Sequence, residues 1–212
     1  RILVTGCAGG IGEAICVRLA GLGAEIIAAD LPGRGEAVAV QNGAHYLPLD
    51  VADENSWQDA KAYLSAKFGA LEGLVNNAGI LRDRMLANMT EQEWDAVINV
   101  NLNGVFLCGR EAAERMIKLG QGGVIINISS IASLVPMPRV VPYAGAKAAL
   151  NAMTTSMARE YGPEVRVNCI AAGPFLTDIS KAWTEEARET ADNALRRPGK
   201  PEEIVTAALY LA

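Results

Sequence analysis

The chain has 212 residues, 50% of them hydrophobic, with 19 Lys and Arg against 24 Asp and Glu, a single His and four Cys. A net charge of −5 without a basic cluster argues against a nucleic-acid partner, no apolar run is long enough to cross a bilayer, and the length fits one α/β domain with a sizeable core. Cys7, Cys16, Cys108 and Cys169 stand at no C-x-x-C or metal-ligand spacing, so they read as reduced core residues and no metal site is expected. The N-terminus carries no signal-peptide pattern, which makes the cytoplasm the expected compartment.

In chain order, the first apolar run (Ile2 to Val4) stops at Gly6, and Ala14, Ile15, Leu19 and Ala20 then recur at helical spacing. Strand, glycine turn and helix aim backbone N–H groups and a helix N-terminus at a diphosphate. The turn reads G-x-x-x-G-x-G, at Gly6, Gly10 and Gly12. Asp30 closes the next apolar run, where a carboxylate can accept from adenosine ribose hydroxyls, although it can also serve as a turn residue before Pro32-Gly33. Further strands are predicted near 44–48, 71–76, 123–129 and 165–170, after those near 2–5 and 25–29. Helices lie between them, with the longest over 90–119 and 143–161. This alternation predicts an α/β fold with a three-layer, doubly wound parallel sheet in a single domain spanning 1–212. Loops that follow the strands then converge on one rim.

Tyr143 and Lys147 fall four residues apart in a helical stretch, on one helix face. An unperturbed phenol titrates near 10, so a Tyr base working near pH 7 needs about 4 kcal/mol of help. A nearby ammonium helps with the right sign.

These residues together resemble the short-chain dehydrogenase/reductase family over nearly all 212 positions. T-G-x-x-x-G-x-G is Thr5 to Gly12, N-N-A-G is Asn76 to Gly79, and the mid-chain helix Asn is Asn101. The active-site Ser is Ser130, thirteen residues before Tyr143, and Y-x-x-x-K is Tyr143 and Lys147. The resemblance implies a Rossmann-type fold, a nicotinamide dinucleotide cofactor and hydride transfer at a secondary alcohol or ketone. It makes Tyr143 the general acid/base, Lys147 the group that lowers the Tyr143 pKa and holds the nicotinamide ribose, and Ser130 the hydrogen-bond partner of the substrate oxygen. Asn101 holds a water that relays protons from Lys147. The implied cofactor contacts are Gly6, Gly10, Ile11, Gly12, Asp30, Asp50, Val51, Asn77, Ala78, Gly79, Tyr143, Lys147, Gly173, Leu176 and Thr177. Asp50 has a second reading, as an N-cap for the helix beginning near Asp53. Residues 178–197 resemble the family's substrate lid. Ala172 stands where the family has Pro, which predicts a slightly looser turn before Gly173. The chain begins within a strand and stops in a helix, before the family's seventh strand, so both ends are expected to be cut from a longer protein.

Asp30 and the absence of a basic residue in the glycine turn favour NAD over NADP, with Arg34 the one residue able to rescue a 2′-phosphate. Val135, Met137, Val140, Val141, Phe175 and Leu176 predict an apolar substrate pocket, with Arg139 its only candidate carboxylate clamp. The expected activity is therefore oxidation of an apolar secondary alcohol or reduction of its ketone. Two rivals are an NADPH-dependent 3-oxoacyl-[acyl-carrier-protein] reductase and a dinucleotide-sensing regulator that does not turn over. The latter class tends to lose the Tyr or the Lys. Trp57 and Trp94 read as packing residues, Trp183 as a lid residue and His45 as structural. Small and apolar residues on several faces of the two longest helices predict a homodimer or homotetramer. Val105, Leu107, Ala112 and Met116 mark one helix, and Ala148, Ala152, Ser156 and Met157 the other.

Overall fold

In the computed structural model, which describes residues 1–120 and 122–212, the strands are β1 (Ile2–Thr5), β2 (Ile26–Asp30), β3 (His45–Pro48), β4 (Gly73–Asn76), β5 (Gly123–Ser130) and β6 (Val165–Ala172). They form one parallel sheet in the order β3-β2-β1-β4-β5-β6. The helices are α1 (Gly10–Gly21), α2 (Glu36–Gln41), α3 (Glu54–Lys67), α4 (Glu91–Ile98), α5 (Gly104–Leu119), α6 (Val141–Tyr161), α7 (Glu185–Glu189) and α8 (Pro201–Leu211). Period-2 alternation divides each strand between two cores. Leu3, Ile27, Leu47, Leu74 and Ile125 pack with Trp57, Leu64 and Met116 of α3 and α5, while Val4, Ala28, Val75 and Ile126 pack with Ile15, Leu19 and Val205 of α1 and α8. This is the predicted three-layer architecture. The strand order reverses between β1 and β4, so the crevice where ligands bind such sheets opens above their C-terminal ends.

The long helix predicted over 90–119 is interrupted by a π turn at Asn99–Asn103. Asn101 is its cause: its Nδ2 donates to the Val97 carbonyl at 2.9 Å and the Ile80 carbonyl at 2.8 Å. A side chain that takes an i−4 carbonyl displaces the backbone donor and widens the helix locally. Helix α3 is capped by Asp53, which accepts from Asn55 N. Asp50 is therefore not the cap; it accepts from Ala52 N in a turn of its own.

β6 continues through Ala172, which pairs with Ser130. Alanine retains the N–H that proline lacks, so the ladder can run to this point. Val105, Ala112 and Met116, expected on an outer helix face, are buried in their own core, and Leu107 packs against it. Val105, Ala112 and Met116 recur at helical spacing within α5, and their stripe is the one that meets the sheet. Phe106, Ile117 and Leu119 are the exposed apolar residues of α5. Trp57 is buried as expected, and Trp94 is 40% exposed. His45 meets Glu25 at 3.1 Å and the edge of the Phe68 ring. Cys7, Cys16 and Cys108 are buried and Cys169 is half-buried, all as free thiols. Among the described residues no helix is long and apolar enough to cross a membrane, and no cluster of His, Cys, Asp and Glu could hold a metal.

Candidate active site

The glycine turn joins β1 to α1 under tight steric limits. Gly6 has φ +68°, a conformation side chains rarely adopt. A Cβ on Gly12 would lie 2.1 Å from the Gly6 carbonyl oxygen, so only glycine lets α1 start this close to β1. Thr5 binds this turn to the loop after β4: its Oγ1 accepts from Asn77 N and Ala78 N, both at 3.1 Å. Asn77 Nδ2 returns the tie, donating to the carbonyls of Thr5 and Gly6 at 3.0 and 2.9 Å. The two loops at the sheet's switch point are thus one unit. Thr5 was visible only as part of the glycine motif; its role as the joint was not.

The arrangement fits a dinucleotide. The N-terminus of α1 begins at Gly9 with no side-chain cap, which leaves first-turn N–H groups for an anion. Asp30 accepts from Ala8 N through Oδ2 at 2.8 Å and from Leu31 N through Oδ1 at 2.9 Å, and each oxygen retains a lone pair for a ribose hydroxyl. Arg34 lies 3.6 Å from Asp178 Oδ2, the oxygen that a Cβ on Gly9 would approach to 3.5 Å, so the pair stands beside the glycine turn. Thr177 packs against Gly10 from the loop after β6, and Val51 against Gly104 at the start of α5.

On the other side of the crevice, α6 carries Tyr143 and Lys147 beside the end of β5. Lys147 is buried and its Nζ donates to the Ile128 carbonyl at 2.8 Å, lying 5.7 Å from the centroid of the Tyr143 ring. Burial drives the ammonium's pKa down to about 8. Burial raises the Tyr143 phenol above its ordinary value, and the Ser130 hydroxyl works against that rise. The amine is itself pushed towards neutrality, and the phenol's lowering partner is Ser130. Ser130 stands at the rim of β5 with Oγ accepting from Ala132 N at 3.1 Å, whereas Ser129 points to the other face and donates to the Lys147 carbonyl. Asn101 is fully buried and both its donors are used, but Oδ1 has no partner. A Cβ on Gly79 would lie 2.8 Å from that oxygen and 3.7 Å from Lys147 Nζ, which defines a small polar hollow between them. A buried chain pins α6 to the sheet: Asn76 donates to Asn127, and Asn127 to Thr154, each at 2.9 Å.

The mouth differs in part from expectation. Leu134, Val135, Met137, Met85 and Leu86 are exposed around it. Val140 is instead buried, and Phe175 lies against Gly199, away from the opening. Arg139 is no free clamp. It pairs with Asp83, and its carbonyl accepts from Arg84 N at 2.9 Å, which ties the two walls of the mouth together. Arg139 has φ +72° despite its side chain, a strain of about 1 kcal/mol or more.

The profile of the short chain dehydrogenase family matches residues 1–188. The chain belongs to that family. Over 99% of its length it is 39% identical to a 3-oxoacyl-[acyl-carrier-protein] reductase of Thermotoga maritima, covering 89% of that protein. It is equally 39% identical to a D-threitol dehydrogenase of Mycolicibacterium smegmatis, covering 84% of that one. A short-chain type dehydrogenase/reductase from Mycobacterium marinum superposes with a TM-score of 0.91 at 29% identity, over 100% of this chain and 87% of that structure. The protein is accordingly a short-chain oxidoreductase acting on CH–OH or keto groups.

Proposed function

We propose that this enzyme interconverts an apolar secondary alcohol and its ketone with NAD. The observation that carries the reading is the half-buried Tyr143 with the buried Lys147 beside Ser130, under a mouth rimmed by exposed apolar side chains. Gly6, Gly10, Ile11, Gly12, Asp30, Asp50, Val51, Asn77 to Gly79, Gly173, Leu176 and Thr177 would hold the cofactor, whose chemistry is to give or accept hydride. Tyr143 would donate its proton to the carbonyl oxygen in reduction and take it from the hydroxyl in oxidation. One Ser130 lone pair is already taken by Ala132 N–H, which leaves its O–H to donate to the substrate oxygen and stabilise charge developing there. Lys147, with a pKa near 8, can pass a proton near neutrality. The unpartnered Asn101 Oδ1 supports a water in the hollow beside Lys147, completing a path for that proton. Residues 178–197 would close over the substrate, with the half-buried Trp183 as their apolar contact.

The preference for NAD rests on Asp30, whose spare lone pairs suit a ribose 2′-hydroxyl and whose charge repels a 2′-phosphate. Asp30→Ala should narrow or reverse the preference, by about tenfold or more for each 1.4 kcal/mol of repulsion removed. Kinetics with both cofactors test this. A wild-type preference for NADPH would mean that Arg34 leaves Asp178 and outweighs Asp30.

The relatives named as 3-oxoacyl-[acyl-carrier-protein] reductases favour a second reading, since a 3-oxoacyl thioester is also a ketone on an apolar chain. That reading needs NADPH and a basic surface for an acidic carrier. Arg139 and Arg84 flank the mouth but are paired with Asp83 and Glu93, which favours the first reading. Both Tyr and Lys are retained, which argues against a sensor without turnover.

We further propose a homo-oligomer built on α4, α5 and α6. Exposed Trp94 and Phe106 and the outward Ala148, Ala152 and Ser156 offer an apolar, close-packing surface. Light scattering at micromolar concentration should report a dimer or tetramer, and a monomer would remove the proposal.

A further inference from the structure

Ser130 is held by a second set of contacts, outside the residues assigned so far. Its backbone carbonyl accepts from Ser133 Oγ at 2.5 Å. A carbonyl can only accept, so the Ser133 hydrogen is committed there and its lone pairs need a donor. That donor is Asn151 Nδ2, at 2.8 Å. The amide's orientation is fixed from its other end, where Oδ1 accepts from Cys169 Sγ of β6 at 3.4 Å. Asn151 lies one turn beyond Lys147 and two beyond Tyr143, so all three share one face of α6. The 3-10 turn of Ile131–Ser133 is thereby fastened to the helix that carries the proton-transfer pair, and Ser130 Oγ, which caps that same turn through Ala132 N, is carried with it.

We infer that Ser133 and Asn151 are positioning residues that fix the Ser130 hydroxyl relative to the Tyr143 phenol. They act through the turn that Ser130 caps and the helix that Tyr143 opens. The inference rests on the proposed role of Ser130 and goes beyond it, because it makes the separation of two proton-handling groups depend on a hydroxyl and an amide that no chemical step uses. It also gives a reason for β6 to run to Ala172. The strand that presents Cys169 to Asn151 pairs with Ser130 at its end, so both attachments of the Ser130 segment are made to the same neighbours.

The test is a mutant cycle in the full-length enzyme, following nicotinamide absorbance with an apolar secondary alcohol and with a 3-oxoacyl thioester. Ser133→Ala should lower kcat roughly 10- to 100-fold, as expected for a misplacement near 1 Å, with the cofactor KM unchanged. Ser133→Thr, which keeps the hydroxyl, should restore most of the rate. In a Ser130→Ala background, Ser133→Ala should change kcat by less than about twofold, because the group it positions is gone. Crystal structures of wild type and Ser133→Ala add a readout independent of turnover: the distance from Ser130 Oγ to the Tyr143 oxygen should lengthen in the variant. Asn151→Leu carries the same cycle if Ser133→Ala does not fold. An unchanged distance, full kcat in Ser133→Ala, or equal losses in both backgrounds would each overturn the inference. Wild-type rates in Ser130→Ala itself would instead remove the role of Ser130 on which it rests.

Discussion

Tyr143→Phe should lower turnover by about 10²- to 10⁴-fold, the range over which a positioned proton donor contributes, while cofactor affinity stays near wild type. The ring still packs at the start of α6 and only the hydroxyl is lost. Steady-state rates with any good substrate, together with cofactor titration by fluorescence, decide it. Retention of most of the wild-type rate would show that the proton moves by another route. Because burial raises the phenol and Ser130 lowers it, the free protein holds Tyr143 protonated at neutral pH. The enzyme without cofactor is therefore set as a proton donor. Any lowering towards neutrality has to come with cofactor binding.

Lys147→Met should abolish useful turnover and yet make the fold more heat-resistant at pH 7. A fall from 10.5 to about 8 corresponds to a folding cost of about 3 kcal/mol for burying the ammonium. The Ile128 carbonyl loses its donor in the variant, which returns about 1–2 kcal/mol of that cost. The pH dependence has a definite sign. Below about pH 8 the folded and unfolded chains both carry the charge, and folding bears the whole penalty. Between about 8 and 10.5 the unfolded chain binds more protons, so wild-type stability rises with pH from this group. Above 10.5 both forms are neutral and the penalty is gone. The variant's midpoint should therefore exceed that of wild type by a few degrees at pH 7, and the difference should shrink as pH approaches 10.5. An equal or lower midpoint at pH 7 would mean that the amine's contacts outweigh its desolvation. A site that gains stability when its key group is removed is one in which function is maintained at the expense of the fold.

Local patterns made most of the architecture legible. The alternation of apolar runs with helical periods places all six strands within two residues of their ends, and the glycine spacing locates the tight turn between β1 and α1. The π turn was hidden because a single Asn side chain, bonded to Val97 and to the distant Ile80, overrides a continuous helical period. Val105, Ala112 and Met116 were misassigned for a different reason: a helical period shows that they share a face, and not whether that face meets the sheet or a partner. The burial of Lys147 was equally invisible, since Y-x-x-x-K spacing reports a shared face and not the depth of the side chain. Contacts between distant segments, such as Arg139 with Asp83 and Ser133 with Asn151, leave no trace in local pattern. The stop at Ala172 was legible in principle: a residue with an N–H where a proline is expected permits one more rung of the ladder.

The cations around the crevice carry one further consequence. Arg34, Arg84 and Arg139 are each paired with an acid, Asp178, Glu93 and Asp83 respectively. Paired charges at such short range cancel within a few ångströms, so little field reaches out to an approaching molecule. If the substrate is the uncharged alcohol or ketone proposed above, it should arrive by unaided diffusion and be retained by contact with side chains such as Leu134, Val135 and Met137. Its rate of encounter should then be set by collision and fit, and be nearly indifferent to the ionic strength of the surroundings.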